Sequence, residues 1–410
     1  MGKISLRFCR LQISLAKLLA AQFFVLMVPV PTYGYVCNVP NEWFRGLNNT
    51  RAHTANGALW PNGVVKYTLH SSLSNRDRVT IWKAFTEFHE KTCIRFQPRQ
   101  NGDPDFTEIL TDDDVCGLAE VCKIGGYQFT KFGQGCRNVE TMIHELGHTL
   151  CLYHEQQRKD RDEYLSFQGC PQQEILPIEE DGQDTSTLGL YDYASQMHYQ
   201  CGFCDGGWPR SPSVTKCGDD ATTGLSLLDA DNLNRIYNCQ GCFRHRWKKM
   251  EQLTSQDRKN VHSFGYKNSF GYLYPCRALV NGEIAVGKYS RSRRVCSVSN
   301  QGKLYELKHG AEVLTIPGGR TQRGATYKLV RSGSVSPNYL VANAVNAGRL
   351  NEAEGGAQTF IAYATLRKGF WHKEDVIGKV ATFEGELGNA KFSVGERELA
   401  SENYFVLTCT

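Results

Sequence analysis

No apolar run in this 410-residue chain is long enough to cross a bilayer comfortably. The run near the start, residues 18–30, has only 13 residues even with Gln22 counted, against the ~20 that a spanning helix needs. An excess of either charge is also missing. The 47 Lys and Arg residues stand against 42 Asp and Glu, which gives no argument for a nucleic-acid partner. In the last third no helical period persists. Cysteine, by contrast, is plentiful: sixteen residues, a density that following an apolar start points to an oxidising secretory route. Lys3, Arg7, Arg10 and Lys17 precede or open that apolar run, and Thr32 and Gly34 supply small residues before Tyr35. Residues 1–34 therefore read as a signal peptide and the protein as secreted and extracellular, with no membrane span. The length exceeds what one core usually supports, so at least two domains are expected.

The chain is organised around His144-Glu145-Leu146-Gly147-His148, followed six residues later by His154. Histidines four apart on a helix project from one face, where their imidazoles can share an ion. Three nitrogens with an open fourth position suit Zn²⁺, one per subunit. Glu145 lies beside that open position, placed to take a proton from a zinc-activated water whose pKa falls to about 7. Reaching His154 requires the chain to turn sharply once the helix ends. Further on, Ser195-Gln196-Met197-His198-Tyr199 has the pattern of a methionine turn, the floor beneath zinc in metzincin peptidases.

Together with Glu155-Gln156-Gln157-Arg158, Leu59-Trp60-Pro61-Asn62-Gly63 and Asp231-Asn232-Leu233-Asn234-Arg235-Ile236-Tyr237, these motifs resemble the astacin family of secreted zinc endopeptidases over residues 52–239. The resemblance implies an α+β metzincin fold, with a twisted sheet and two long helices and a cleft between halves. It implies His144, His148 and His154 as zinc ligands, Glu145 as general base, and Tyr199 as a residue assisting the oxyanion. Met197 and Glu155 become structural supports, with Glu155 pairing the amino group freed by cleavage before Ala52. It also implies the disulfides Cys93–Cys239 and Cys116–Cys136. Residues 125–129 look like the edge strand on which a protein or peptide substrate would pair, with a plain structural strand nearly as good a reading because Gly pairs often mark bends. The resulting layout is a propeptide at 35–51, a peptidase domain at 52–242, a linker at 243–262 and a β-rich region at 263–410.

Two departures from the family pattern stand out. The propeptide carries Phe44-Arg45-Gly46-Leu47 without the carboxylate that usually blocks zinc; Cys37-Asn38-Val39-Pro40 resembles the matrixin cysteine switch, with a structural disulfide at Cys37 an equal alternative. Cys151 occupies the position where the zinc motif has glycine, a site of positive φ that costs other residues about 1 kcal/mol or more. A disulfide at Cys151, for instance to Cys170, would hold that turn. Between Ala52 and Cys242 there are eleven cysteines and beyond them three. Both counts are odd, so if all are oxidised an odd number of bridges joins the two parts.

Local patterns suit a strand over 64–69 and a helix over 78–92 with Ile81, Phe85 and Phe88 on its apolar face. In the C-terminal third, Gly287-Lys288 recurs at Gly378-Lys379 and Val313-Leu314-Thr315 at Val406-Leu407-Thr408, offsets of 91 and 93 residues. Duplication of one β unit is the reading. The region resembles the DM-nine repeat, whose characterised relatives include mannose-binding lectins, with the first copy incomplete at its start. That resemblance implies glycan or surface targeting, with stabilisation of the peptidase domain an equal alternative. The alternative function is a glycan-binding recognition protein whose peptidase domain is impaired because Cys151 displaces His154.

Overall fold

The computed structural model describes residues 58–170, 189–261 and, from 267 onward, all but 269–270, 320, 323–324, 351–355, 369–371, 384–385 and 395–396. The expected signal peptide, the propeptide with Cys37 and the amino terminus at Ala52 lie outside the described residues. Everything described belongs to one unit, Asn41–Thr410.

The N-terminal part is α+β. Strand β1 (Val64–Leu69) leads into helix α1 (Asn75–Lys91), then β2 (Arg95–Pro98), β3 (Phe106–Thr111), β4 (Gly117–Ala119) and β5 (Tyr127–Phe132), before helix α2 (Val139–Thr149). The sheet order is β2-β1-β3-β5-β4, parallel except for β4, which runs antiparallel to β5. The strand starting at Tyr127 is therefore internal. The edges of the sheet are β2 and β4, a correction to the edge role expected of residues 125–129. β4 pairs only with the second half of β5, Thr130–Phe132, and β5 carries the stronger β pattern because it buries alternate side chains, whereas a short edge strand needs less hydrophobic sequence.

Helix α1 begins three residues earlier than its apolar period suggests. Ser74 accepts from the Asp77 amide while the Asp77 carboxylate accepts from the Ser74 amide, a reciprocal cap that satisfies two otherwise orphaned donors. Its Ile81, Phe85 and Phe88 are buried, and Phe85 stacks on Phe96 of β2 with ring centroids 4.2 Å apart. Helix α2 adds Met142, Ile143 and Leu146 to the same core, and Trp60 ties the chain entry to its end by donating to the Thr149 carbonyl at 2.9 Å. After the short pair β6 (Leu165–Ser166) and β7 (Trp208–Pro209), helix α3 (Leu227–Ile236) closes this part.

The remainder is mostly strand. It comprises β8 (Arg246–Lys249), α4 (Ser255–Asn260), the ribbon β9 (Lys267–Asn268) with β10 (Gly271–Tyr272), and β11 (Tyr274–Val280), β12 (Glu283–Ser290), β13 (Val295–Asn300), β14 (Lys303–Leu307) and β15 (Ala311–Thr315). It continues with β16 (Thr321–Gln322), β17 (Ala325–Arg331), α5 (Pro337–Asn343), β18 (Asn346–Arg349), β19 (Gln358–Lys368), β20 (His372–Phe383), β21 (Glu386–Leu387), β22 (Ala390–Val394), β23 (Arg397–Ser401) and β24 (Phe405–Cys409).

One connectivity occurs twice. β12 pairs with β11, β13 with β12 and β14 with β13, while β15 returns to the far side of β11; β19, β20, β22, β23 and β24 repeat the pattern. β8 adds to β15 as β17 adds to β24, and α4 and α5 each end in a bridge to the last strand of their set, Val261 to Thr315 and Ala344 to Thr408. The two sets are joined by reciprocal ion pairs. Glu283 meets Lys379, and Lys288 meets Glu374 at 3.1 Å.

Residues 243–261, all but the last of the segment expected as a linker, are built into this architecture. β8 pairs with β15 as β17 pairs with β24, and Trp247 within it is only 1% exposed. The cluster of basic residues around it hides the strand from a hydropathy reading. Trp247→Ala is expected to cost about 3–5 kcal/mol in denaturant unfolding, as for a large buried aromatic; a change within about 0.5 kcal/mol, the usual surface value, would return the segment to a linker.

Candidate active site

Helix α2 presents His144 and His148 from one face while Met142, Ile143 and Leu146 are packed in the core. Asn138 caps its start by accepting from the Thr141 amide at 2.8 Å. At its end the Leu152 amide donates to the Gly147 carbonyl and the Cys151 amide to that of His148, both at 2.9 Å, which is the Schellman arrangement. That motif needs a left-handed residue, and Cys151 adopts φ +75° there. The turn redirects the chain so that His154 comes back beneath the helix.

Cys151 is bonded to Cys122, not to Cys170, which joins Cys204. Cys122 is itself left-handed, at φ +68°, and its amide donates to the same His148 carbonyl at 2.9 Å. The cross-link thus fastens the helix end to the loop between β4 and β5. Cys93 is bonded to Cys239, Cys116 to Cys136, Cys201 to Cys217 and Cys276 to Cys296. Among these described cysteines one bridge joins the two parts, Cys242–Cys409.

The three imidazoles converge. Their Nε2 atoms lie 3.1–3.2 Å from one another. Each Nδ1 faces an oxygen: His144 the Gln196 carbonyl at 2.6 Å, His148 the Leu152 carbonyl at 2.9 Å and His154 the Gln157 side-chain oxygen at 3.0 Å. An oxygen acceptor fixes the proton on Nδ1, so all three Nε2 lone pairs point at one spot. Burial holds the imidazoles neutral, with His148 well below the ordinary range and His154 lowered to about 4. Three mutually repelling lone pairs this close fit a shared cation. Nitrogens at 2.0–2.1 Å from a tetrahedral zinc would stand about 3.3 Å apart.

Glu145 is 5% exposed, and its Oε2 has no hydrogen-bond partner among the described residues; burial pushes its carboxyl up to about 8. Gly117 on β4 lies directly against it. A Cβ there would come 2.2 Å from the Glu145 carboxylate, so a larger residue would have to displace the Glu145 side chain. Beneath the histidines Met197 is buried, and a Cβ on Gly147 would meet its sulfur at 2.5 Å. Tyr199 is 39% exposed, with its ring centroid 4.5 Å from that of His154; burial first, then the Glu145 and Asp205 charges, raise its hydroxyl pKa.

Glu155 is buried and accepts from Arg158 Nη1 at 2.8 Å and from the Asp192 amide at 2.9 Å. Arg158 also pairs with Asp160 at 2.7 Å. The expected partner of Glu155, the amino group of Ala52, lies outside the described residues.

Sequence reasoning missed Gly117, Cys122 as the partner of Cys151, Gln157 as the orienter of His154, and Asp229. The Asp229 carboxylate accepts from Ser195 Oγ at 2.6 Å and from the Gln196 amide at 2.9 Å, holding the turn that carries Met197. Most of these contacts span elements far apart in the chain, where spacing is silent. Gln157 is the exception, three residues past His154, and the short helical turn between them was the signal that could have found it.

The zinc-type histidine helix, the tight turn after it and the methionine turn below define a metzincin-like domain. Residues 52–238 match the sequence model of the peptidase family described as Astacin, and this domain belongs to the astacin family. Zinc metalloproteinase nas-7 of Caenorhabditis elegans is 34% identical over 212 residues, which cover 49% of this chain and 55% of that protein. Embryonic protein UVS.2 of Xenopus laevis is 34% identical over 199 residues, covering 45% of this chain and 37% of that one. The solved structure of high choriolytic enzyme 1, a hatching enzyme zinc-protease from Oryzias latipes (Medaka fish), matches at 29% identity with a TM-score of 0.39, covering 45% of this chain and 94% of that chain. The chain spans about half the length of the first of these curated relatives.

If the left-handed turn is what Cys122–Cys151 sustains, the paired replacement Cys122→Ala with Cys151→Gly is expected to be more stable than Cys122→Ala with Cys151→Ala by about 1–2 kcal/mol. Chemical denaturation of the two variants measures this; equal stability would remove the strain from the account.

Proposed function

We propose that this protein is a secreted zinc-dependent endopeptidase in which His144, His148 and His154 hold the metal. The convergence of three oriented imidazole lone pairs beside the Glu145 oxygen that has no partner among the described residues carries the reading. Zinc bound there supplies a Lewis acid that polarises the scissile carbonyl and acidifies the attacking water. Glu145 takes the proton from that water and delivers it to the leaving amine; its dry surroundings keep the carboxyl's basicity high. The Tyr199 hydroxyl donates to the oxyanion as it forms. β4, the free edge beside Glu145, offers its backbone to an extended peptide. The disulfides support an oxidising, extracellular setting, and no described helix is long and apolar enough to cross a membrane.

The twice-repeated connectivity supports reading the C-terminal part as two copies of one β unit resembling the DM-nine repeat, the first starting at Arg246. No observation among the described residues favours a glycan ligand. The impaired-peptidase alternative rested on Cys151 displacing His154, and the disulfide-held turn brings His154 to the other two histidines.

The test is hydrolysis of an unstructured protein substrate by material secreted and activated with trypsin. Removing zinc with a chelator is expected to abolish cleavage and re-addition to restore it. Glu145→Ala is expected to retain one zinc per chain and lose at least about 10²–10⁴-fold in kcat; zinc-loaded protein without hydrolysis would overturn the reading. Tyr199→Phe is expected to lower kcat by about 10²–10³-fold with little change in KM, read from steady-state kinetics on a quenched peptide.

A further inference from the structure

Helix α3 is buried on two sides. Ala230, Leu233 and Ile236 face the core of the astacin domain, while Asp229 grips the methionine turn. Its Leu228, Asp231 and Arg235, spaced three and four apart on another stripe, face the C-terminal strands. Leu228 packs with Leu190 and Ile284 of β12. Arg277 of β11 is fully buried and spans the boundary. Its Nη1 is 2.8 Å from Asp231 Oδ2, its Nε is 2.8 Å from Glu312 Oε2, and its guanidinium lies 4.5 Å from the centre of the Trp247 ring. Arg235 donates to the Trp247 carbonyl at 2.5 Å and lies 3.8 Å from Glu312. Arg246 donates to the Cys239 carbonyl at 3.0 Å.

Two residues before Asp231 stands Asp229, and its contact reaches the histidines in one further step. The Gln196 amide donates to Asp229, while the Gln196 carbonyl accepts from His144 Nδ1. The same residue that orients a candidate metal ligand is therefore held by the helix that the C-terminal part clamps. An Arg with two carboxylates at the boundary fixes direction as well as distance, because its planar fork matches each acceptor. If the clamp were released, α3 would keep its core face but lose its ionic face, and Asp229 would follow.

We infer that the C-terminal part is a working component of the metal site, with Arg277 as a positioning residue that acts on His144 through Asp231, α3, Asp229 and Gln196. The inference rests on the zinc reading above and goes beyond it: the β-rich region serves the peptidase it is attached to and is not a passive appendage.

The test uses the full chain. Zinc content of the unaltered protein is measured first; no zinc there sinks the metal reading itself. The rate of zinc transfer to a chromophoric chelator is then compared between the unaltered protein and Arg277→Met, at a temperature where circular dichroism shows both fully folded. Phe392→Leu, a buried change in the second strand set, serves as a control with a comparable loss of thermal stability. The inference expects zinc to leave Arg277→Met at least ten-fold faster, with kcat reduced and KM within two-fold, while Phe392→Leu releases zinc at the unaltered rate. Release at the unaltered rate from folded Arg277→Met, or equal acceleration in Phe392→Leu, would overturn it. Should Arg277→Met not fold, Asp231→Asn removes only the carboxylate on α3, and the same comparison decides.

Discussion

Three imidazole lone pairs held 3.1–3.2 Å apart repel one another unless a cation lies among them, and much of the N-terminal architecture serves to impose that proximity. Each ring is aimed by an oxygen on its far nitrogen. Two of those oxygens are backbone carbonyls, one just past the helix end and one in the methionine turn. The third belongs to the side chain of Gln157, in the short turn after His154. The site is thus assembled by two backbone carbonyls and one side chain, and the sheet, the two helices and the disulfides keep those places in register.

The histidine constellation was legible because a helix fixes the relation of residues four apart, so His144, Glu145 and His148 declare their common face in one dimension. His154 and Met197 were legible through resemblance. The need for a left-handed residue at Cys151 was legible through the same resemblance, because the motif has glycine there. How that need is met was not. The partner, Cys122, sits in a loop from a different strand, and spacing carries no information about which cysteines approach each other. Parity alone required a bridge between the two parts; which cysteines form it depends on the fold.

The misplaced edge strand and the supposed linker share one cause. Sequence pattern reports burial, not position in a sheet. Residues 125–129 read as a strand because β5 buries alternate side chains, and β4 went unread because three residues at an edge need little sequence support. Residues 246–249 read as a polar connection because Arg246, Lys248 and Lys249 dominate. Yet Arg246 and Trp247 are buried, and the Arg246 guanidinium is spent on backbone carbonyls that hydropathy counts as solvent.

The Cys242–Cys409 bridge closes a loop of chain around nearly all of the C-terminal strands. Under the proposed function the protein would be exposed to cleavage by copies of itself, and surface turns in a β-rich region are where nicking concentrates. A single cut anywhere between those two cysteines leaves both fragments covalently joined, with the strand pairing around the break intact. Self-digestion of this kind would change the molecule's topology without releasing a piece of it, so the attached region outlasts the continuity of its own backbone.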